Sequence, residues 1–269
     1  MPVRDVAAWL ARARECRNPA LLASALANAS RRLDLLAFAT GLPRRDCRTL
    51  VREIEDDRAF LDPLRARLAE RTSYVPRAVD FILAGEGGSV FFNEVTLSAL
   101  VRALRPRAVV ETGGTPGKST AFILRAMERN GHGRLVTVDL PPPVAAEPGR
   151  IPRGRYHEER PEGSGSNWIV SEALRSRHSL VLGDAREKLP EVLAGLGRVD
   201  FFLHDSDHSY AHMTWEFETA WAALGPGGLL VSDDILANAA FGDFCRARSL
   251  ESRSVFNLGV ARARPEAAS

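Results

Sequence analysis

The chain has 269 residues, 45% hydrophobic and 26% charged, which is the profile of a folded globular protein that needs no staples. Its 36 basic and 34 acidic residues leave a net charge of +2, which gives no field for nucleic acid or an anionic membrane surface. Apolar runs last only a few residues, too short for a membrane span.

Only two of the basic residues are lysine, Lys118 and Lys188, a bias that reads as a GC-rich genome rather than a function. Cys16, Cys47 and Cys245 stand far apart with no C-x-x-C, so neither a disulfide framework nor a zinc site is expected. The start, Met1-Pro2-Val3-Arg4-Asp5, lacks a signal peptide's apolar stretch, and a reducing cytoplasm is the expected setting.

The first 85 residues or so read as helices. Asn18-Pro19 offers an N-cap and a first-turn proline, and Gly41 with Pro43 supplies the stop. Asp62-Pro63 predicts another helix start of the same kind. No catalytic grouping appears here. The region 1–85 is expected to serve as a lid, a pocket wall, a surface for homo-oligomer formation or a plain packing domain.

From Arg107 the texture changes. Ala108-Val109-Val110, Leu135-Val136-Thr137-Val138, Ser179-Leu180-Val181-Leu182, Phe201-Phe202-Leu203 and Leu229-Leu230-Val231-Ser232 alternate with helical stretches. This rhythm predicts a doubly wound α/β fold with a mostly parallel sheet. Ser254-Val255-Phe256, a turn at Asn257-Leu258-Gly259, and Val260-Ala261-Arg262 predict an antiparallel hairpin that completes seven strands. Residues 141–166 read as a Pro/Gly-rich insertion. The second domain is expected to span 86–269.

The segment Glu111-Thr112-Gly113-Gly114-Thr115-Pro116-Gly117-Lys118-Ser119 follows a strand and opens a helix. A phosphate-binding P-loop ending at Gly117-Lys118-Ser119 needs its first glycine at 112, which is threonine. The dinucleotide fingerprint fails as well. The series that fits is E-x-G-x-x-x-G, on Glu111, Gly113 and Gly117. Asp139 closes the second strand, where a carboxylate can accept two ribose hydroxyls, and Asp184 follows the third, where it reaches an adenine or caps the next helix. Acids on successive strand ends suit S-adenosylmethionine better than a nucleoside triphosphate. Lys118, with no phosphate to meet, is expected to face solvent.

From about residue 86 the chain resembles class I S-adenosylmethionine-dependent methyltransferases with a Rossmann-like sheet. Its E-T-G-G-T-P-G-K-S stretch is similar to the loop of catechol-type O-methyltransferases. His204-Asp205-Ser206-Asp207-His208-Ser209-Tyr210 resembles the bacterial branch that includes macrocin O-methyltransferase-like and cephalosporin-hydroxylase-like proteins, and Gly225-Pro226-Gly227-Gly228 is also similar. The resemblance implies S-adenosylmethionine as cofactor, held by Glu111, Gly113, Gly114, Gly117, Ser119, Asp139, Gly183, Asp184 and Asp205.

Methyl transfer from a sulfonium needs an acceptor that is aligned and deprotonated. In the catechol-type relatives the positions matching Asp205, Asp233 and Asp234 bind magnesium, with an amide usually at the third. The resemblance therefore implies a divalent metal on Asp205, Asp233 and Asp234; capping of nearby helices is the other reading. Those relatives take the acceptor's proton with a lysine after the first aspartate, and this sequence has none beyond Lys188. His208, three residues past Asp205, is the expected base, with His204 the runner-up. His208 and His212 stand four apart, as in zinc sites, but read as an exposed pair on one helix. Trp168, Tyr210, Trp215 and Trp221 either line the acceptor pocket or pack. The expected function is O-methylation of a small-molecule hydroxyl on a sugar or natural product. The alternatives are a P-loop-type kinase and a non-catalytic partner that keeps the fold.

Overall fold

The computed structural model describes residues 19–71, 91–141 and 165–263. Three helices come first: α1 (Pro19–Thr40), α2 (Arg44–Glu55) and α3 (Arg58–Arg71). The first ends where the sequence predicts. Gly41 takes a left-handed φ of 73°, and its amide closes onto Ala37 O at 2.9 Å. The third begins four residues before the predicted Asp62-Pro63 start, leaving Pro63 inside the helix. Its first turn is organised instead by Asp57 O, which accepts from the amides of Phe60 and Leu61. The anticipated domain boundary at 85 and most of the 141–166 insertion lie outside the described residues.

Helix α4 (Phe92–Leu104) leads into β1 (Ala108–Thr112). Then come α5 (Lys118–Asn130), β2 (Arg134–Asp139), a 3-10 turn at Glu172–Arg177, β3 (His178–Leu182) and α6 (Ala185–Leu196). The chain continues through β4 (Val199–His204), α7 (Tyr210–Ala223), β5 (Leu224–Ser232) and α8 (Ala240–Ala247). It closes with β6 (Ser252–Val255) and β7 (Leu258–Arg262). The strand order is β3-β2-β1-β4-β5-β7-β6, parallel through β5 and antiparallel at β7 and β6. The fold is the doubly wound, seven-stranded Rossmann-like sheet that the strand spacing predicts. The hairpin turn is tighter than expected, with Val255 opposite Leu258 and only Phe256 and Asn257 between them.

Period-2 alternation distributes the core to both faces of the sheet. Val109, Phe201, Leu203, Leu229 and Val231 face α1, α2, α4 and α5, where they meet Leu35, Leu36, Leu97, Leu100 and Phe122. Val110, Phe202 and Leu230 face the other way, onto Leu189, Met213 and Phe217 of α6 and α7. The N-terminal helices are part of the first core rather than an appendage. Charge ties them down too: Asp57 receives Arg125 at 2.7 Å and Arg129 at 2.8 Å, both from α5. Cys47 and Cys245 are buried free thiols, and Cys16 lies outside the described residues.

The order of strands reverses between β1 and β4. In open α/β sheets that switch point opens a crevice at the strands' carboxyl ends. Glu111, Thr112, His204 and Asp205 all arrive there.

Candidate active site

The glycine loop is shaped by what lies against it. Asp205 N donates to Thr112 O at 2.9 Å, which draws the start of the β4 loop onto the end of β1. A Cβ on Gly113 would lie 1.8 Å from Asp205 O, and the residue has φ +80°, so only glycine fits. Gly117 caps α5 with φ +107°, and a Cβ there would meet Asn167 Cα at 2.9 Å. Gly114 is equally closed, with its would-be Cβ 2.4 Å from Asn167 Oδ1. Asn167, fully buried just after the insertion, is thus the back wall of the loop. Nothing in the Ser166-Asn167-Trp168 stretch announces that role in sequence.

Glu111 is fully buried and turned inward. It accepts the hydroxyls of Ser119, of Thr120 at 2.6 Å and of Thr137 at 2.7 Å. Burial pushes its carboxyl up to about 7 in spite of those three donors. Ser119 therefore braces Glu111 and the loop from behind. Asp139 stands nearer the crevice, accepting Thr115 Oγ1 at 2.8 Å and the Leu140 amide at 2.9 Å. Asp184 caps α6, accepting from Arg186 N at 2.8 Å, and is exposed; Gly183 precedes it with φ 153°.

A second buried carboxylate organises the β4 side. Glu216 of α7 accepts Thr112 Oγ1 and His204 Nδ1, each at 2.6 Å, Ser206 Oγ at 2.7 Å and His212 Nε2 at 2.8 Å. Burial alone would raise its pKa, but the hydrogen bonds from His204 and His212 overcome that and hold it at about 2. The expected exposed His208/His212 pair is not found. His212 is buried on Glu216, while His208 precedes the helix and is half-buried. The ring of His208 lies edge-on to His204, 5.4 Å between centroids.

The Nε2 of His208 sits 3.8 Å from Asp205 Oδ1 and 3.7 Å from Asp234 Oδ2, and it makes no hydrogen bond among the described residues. Asp233 Oδ1 accepts Asn93 Nδ2 at 2.8 Å and the Asp234 amide at 2.9 Å. Asp234, in the left-handed region at φ 49°, accepts Asn257 Nδ2 at 2.7 Å from the hairpin tip. The metal site expected on Asp205, Asp233 and Asp234 is therefore not assembled. Among the described residues no three His, Cys, Asp or Glu side chains are grouped to hold a metal ion. The reason is local: the imidazole of His208 lies between Asp205 and Asp234, and the side-chain amides of Asn93 and Asn257 engage Asp233 and Asp234. Burial and mutual repulsion raise Asp205 well above the usual carboxylate range and Asp233 to about 7.

Residues 110–235 match a family described as a methyltransferase domain. Over that stretch the chain is similar to a methyltransferase domain. Its bounds take in both the glycine loop and the aspartates of β4 and β5. No curated protein matches the chain. Among solved structures, the SAH-bound methyltransferase PaMTH1 of Podospora anserina aligns with a TM-score of 0.50 at 14% identity, covering 77% of this chain and 88% of that one. An O-methyltransferase from Bacillus cereus in complex with SAH aligns at 0.44 and 14% identity, covering 76% and 90%. The likeness to PaMTH1 concerns the fold.

Three residues that shape this site come from outside 110–235: Asn93 and Glu94 of α4, and Asn257. Lys118 does not face solvent as expected. Its ammonium is 3.4 Å from Glu94 Oε1, and its side chain is 20% exposed. Three of the four aromatic candidates pack away from the loop: Trp221 lies on Phe244, Trp215 under the Arg186 guanidinium, and Tyr210 bonds Asp243. Trp168 packs on the first core with its buried Nε1 unpartnered among the described residues.

No helix among the described residues is long and apolar enough to cross a membrane.

Proposed function

We propose that the protein is an S-adenosylmethionine-dependent O-methyltransferase acting on a small-molecule hydroxyl of a sugar or natural product. The observation that carries this reading is the glycine loop at the β1/β4 switch point, inside the matched methyltransferase domain. Gly113 is forced against Asp205, Glu111 is locked behind the loop, and the Asp139 carboxylate stands at the next strand end. In this reading Asp139 takes the donor's ribose hydroxyls, the backbone at Gly113, Gly114 and Gly117 lies along the methionine portion, and Ser119 keeps the loop in shape through Glu111. Gly183 and Asp184 border the adenine end.

The acceptor enters beside Asp205 and His208. Its oxygen lone pair forms the new O–CH3 bond as the S–CH3 bond breaks, and that bonding pair stays on sulfur. The hydroxyl proton goes to His208 Nε2, which faces Asp205 and Asp234 and is kept neutral at rest by burial and by His204.

Calorimetry with S-adenosylhomocysteine tests the donor site. The full chain is expected to bind it, and Asp139→Ala to weaken binding by about 10- to 100-fold, the scale of charge-assisted hydrogen bonds. Unchanged affinity in that variant, or preferential binding of ATP, overturns the reading. Binding without turnover on any hydroxyl acceptor points to the non-catalytic alternative.

A further inference from the structure

Glu111 is fully buried behind the glycine loop, yet a short chain of hydrogen-bonding groups leads from it to solvent. Thr137 on β2 sets its hydroxyl 2.7 Å from Glu111 Oε2. The same Thr137 oxygen lies 2.9 Å from Nε2 of His178, the first residue of β3. The His178 ring is half-buried, and its Nδ1 bonds no described residue and stays open to solvent. Neighbouring strands β1, β2 and β3 thus carry a carboxyl, a hydroxyl and an imidazole within bonding reach of one another. His178 Nε2 also lies 3.2 Å from Asn167 Nδ2, the amide at the back wall of the loop.

Two proton arrangements satisfy this chain. With Glu111 ionised, Thr137 donates to it, and the threonine oxygen accepts Nε2–H. With Glu111 protonated, its O–H donates to Thr137, whose own hydrogen turns to Nε2, and the imidazole carries its proton at Nδ1. The ring is neutral in both, and burial together with the Arg175 guanidinium pushes its pKa down to about 4.

We propose that Glu111, Thr137 and His178 form a proton relay in which the charge of the buried carboxyl sets the tautomer of a neutral imidazole. As Glu111 ionises, its proton passes to Thr137 Oγ1, the threonine hydrogen to His178 Nε2, and the Nδ1 proton to water. An unprotonated Nε2 accepts the Asn167 amide, whereas Nε2–H cannot. The charge of Glu111 is therefore read at the wall against which Gly114 and Gly117 are closed. The trigger rests on the methyltransferase reading above: a donor carrying sulfonium and ammonium charges favours the ionised carboxylate. Asp139 and Asp205, at the ends of β2 and β4, act through space against that ionisation, and α5 supplies the hydroxyls of Ser119 and Thr120. Arg175, in the 3-10 turn, is the charged group acting on His178.

Histidine-selective 15N NMR of the full chain tests the relay, with the His178 ring assigned by its loss in His178→Gln. Without donor, Nε2 is expected to pass from unprotonated at about pH 5.5 to protonated at about pH 9, and Nδ1 in the opposite sense. The midpoint is expected at about 7, where Glu111 titrates. Glu111→Gln is expected to fix one tautomer over the whole range. A tautomer that stays constant in the unaltered chain, a ring with both nitrogens protonated at the acid end, or a transition that survives Glu111→Gln overturns the proposal. Should Glu111→Gln not fold, the unaltered chain decides by itself, because a ring titrating on its own account carries both protons at the acid end. At about pH 6, S-adenosylmethionine is expected to shift the ring about tenfold toward Nε2–H. Calorimetry keeps the two readings apart. Donor binding with an unmoved tautomer overturns the relay, whereas absent binding with the pH-driven exchange intact refutes only the donor site.

Discussion

The Thr112 hydroxyl donates to Glu216 Oε2 at 2.6 Å, joining the last residue of β1 to the middle of α7. The same carboxylate holds His204, Ser206 and His212, so one buried charge fixes the carboxyl end of β4 against the glycine-loop strand.

Glu216→Gln should therefore cost more than one hydrogen bond. It removes the charge that four donors converge on, and the expected loss is about 3–5 kcal/mol at pH 7, as for breaking a buried pair. The folded carboxyl sits at about 2 against an ordinary 4.5. A depressed pKa gives stability that is present above the unfolded value and is lost as pH falls toward the folded one. Urea melts of the unaltered chain should lose stability from about pH 5 down toward pH 2, and Glu216→Gln should flatten that limb.

Glu111 predicts the opposite slope. Its folded pKa of about 7 lies above the ordinary 4.5, so its contribution is fully present below 4.5 and lost as pH rises through 7. Between pH 5 and 8 the unfolding free energy should fall by up to about 3 kcal/mol on this account. Glu111→Gln keeps a polar group facing the three hydroxyls and should remove most of that decline. Asp233, also raised to about 7, adds to the same slope and is separated from it by Asp233→Asn.

Two glycines with similar φ should behave differently. Gly131→Ala meets nothing within 4 Å, so left-handed strain alone should cost about 1–2 kcal/mol, read as a lower Tm with unchanged S-adenosylhomocysteine affinity. Gly113→Ala drives a methyl into Asp205 O and should abolish donor binding even where the chain still folds. Equal calorimetric titrations for the two variants would contradict the loop geometry.

His208→Gln should lower kcat by about 10^2- to 10^4-fold, the usual range for a general base, and leave S-adenosylhomocysteine affinity unchanged. A retained kcat, measured on any hydroxyl acceptor that supports turnover, would move the proton to another group.

Asp57→Asn weakens the hold of α5 on the loop between α2 and α3. It should cost about 1–3 kcal/mol and move a single cooperative transition. A separate early transition for the N-terminal helices would show that they fold apart from the sheet.

The sheet was legible because its strands alternate in the simplest way. Phe201, Phe202 and Leu203 can only be buried by covering both faces, and that demands parallel strands with helices on each side. The glycine loop was legible too, since spacing alone separated Gly113 and Gly117 from a P-loop. What escaped was direction. No pattern tells that Glu111 turns inward to Ser119, Thr120 and Thr137, or that Lys118 turns to Glu94. The first is set by α5 and β2 closing on the end of β1, the second by α4 and α5 packing side by side. Pro63 misled for a related reason: Asp57, fixed by two arginines of α5, starts the helix earlier than local propensity does. Asn167 and Asn257 lie far along the chain from the groups they touch.

Asn257 gives its amide to Asp234 and takes the amide of Asn93, which itself reaches Asp233. The hairpin tip is thus a stitch between the last two strands, the end of β5 and a helix that precedes the whole sheet. Where the protein can be opened for circular permutation follows from this. A new terminus at Gly131 would leave the stitch whole, whereas one between Phe256 and Asn257 would unpick the rim on which Asp233 and Asp234 hang.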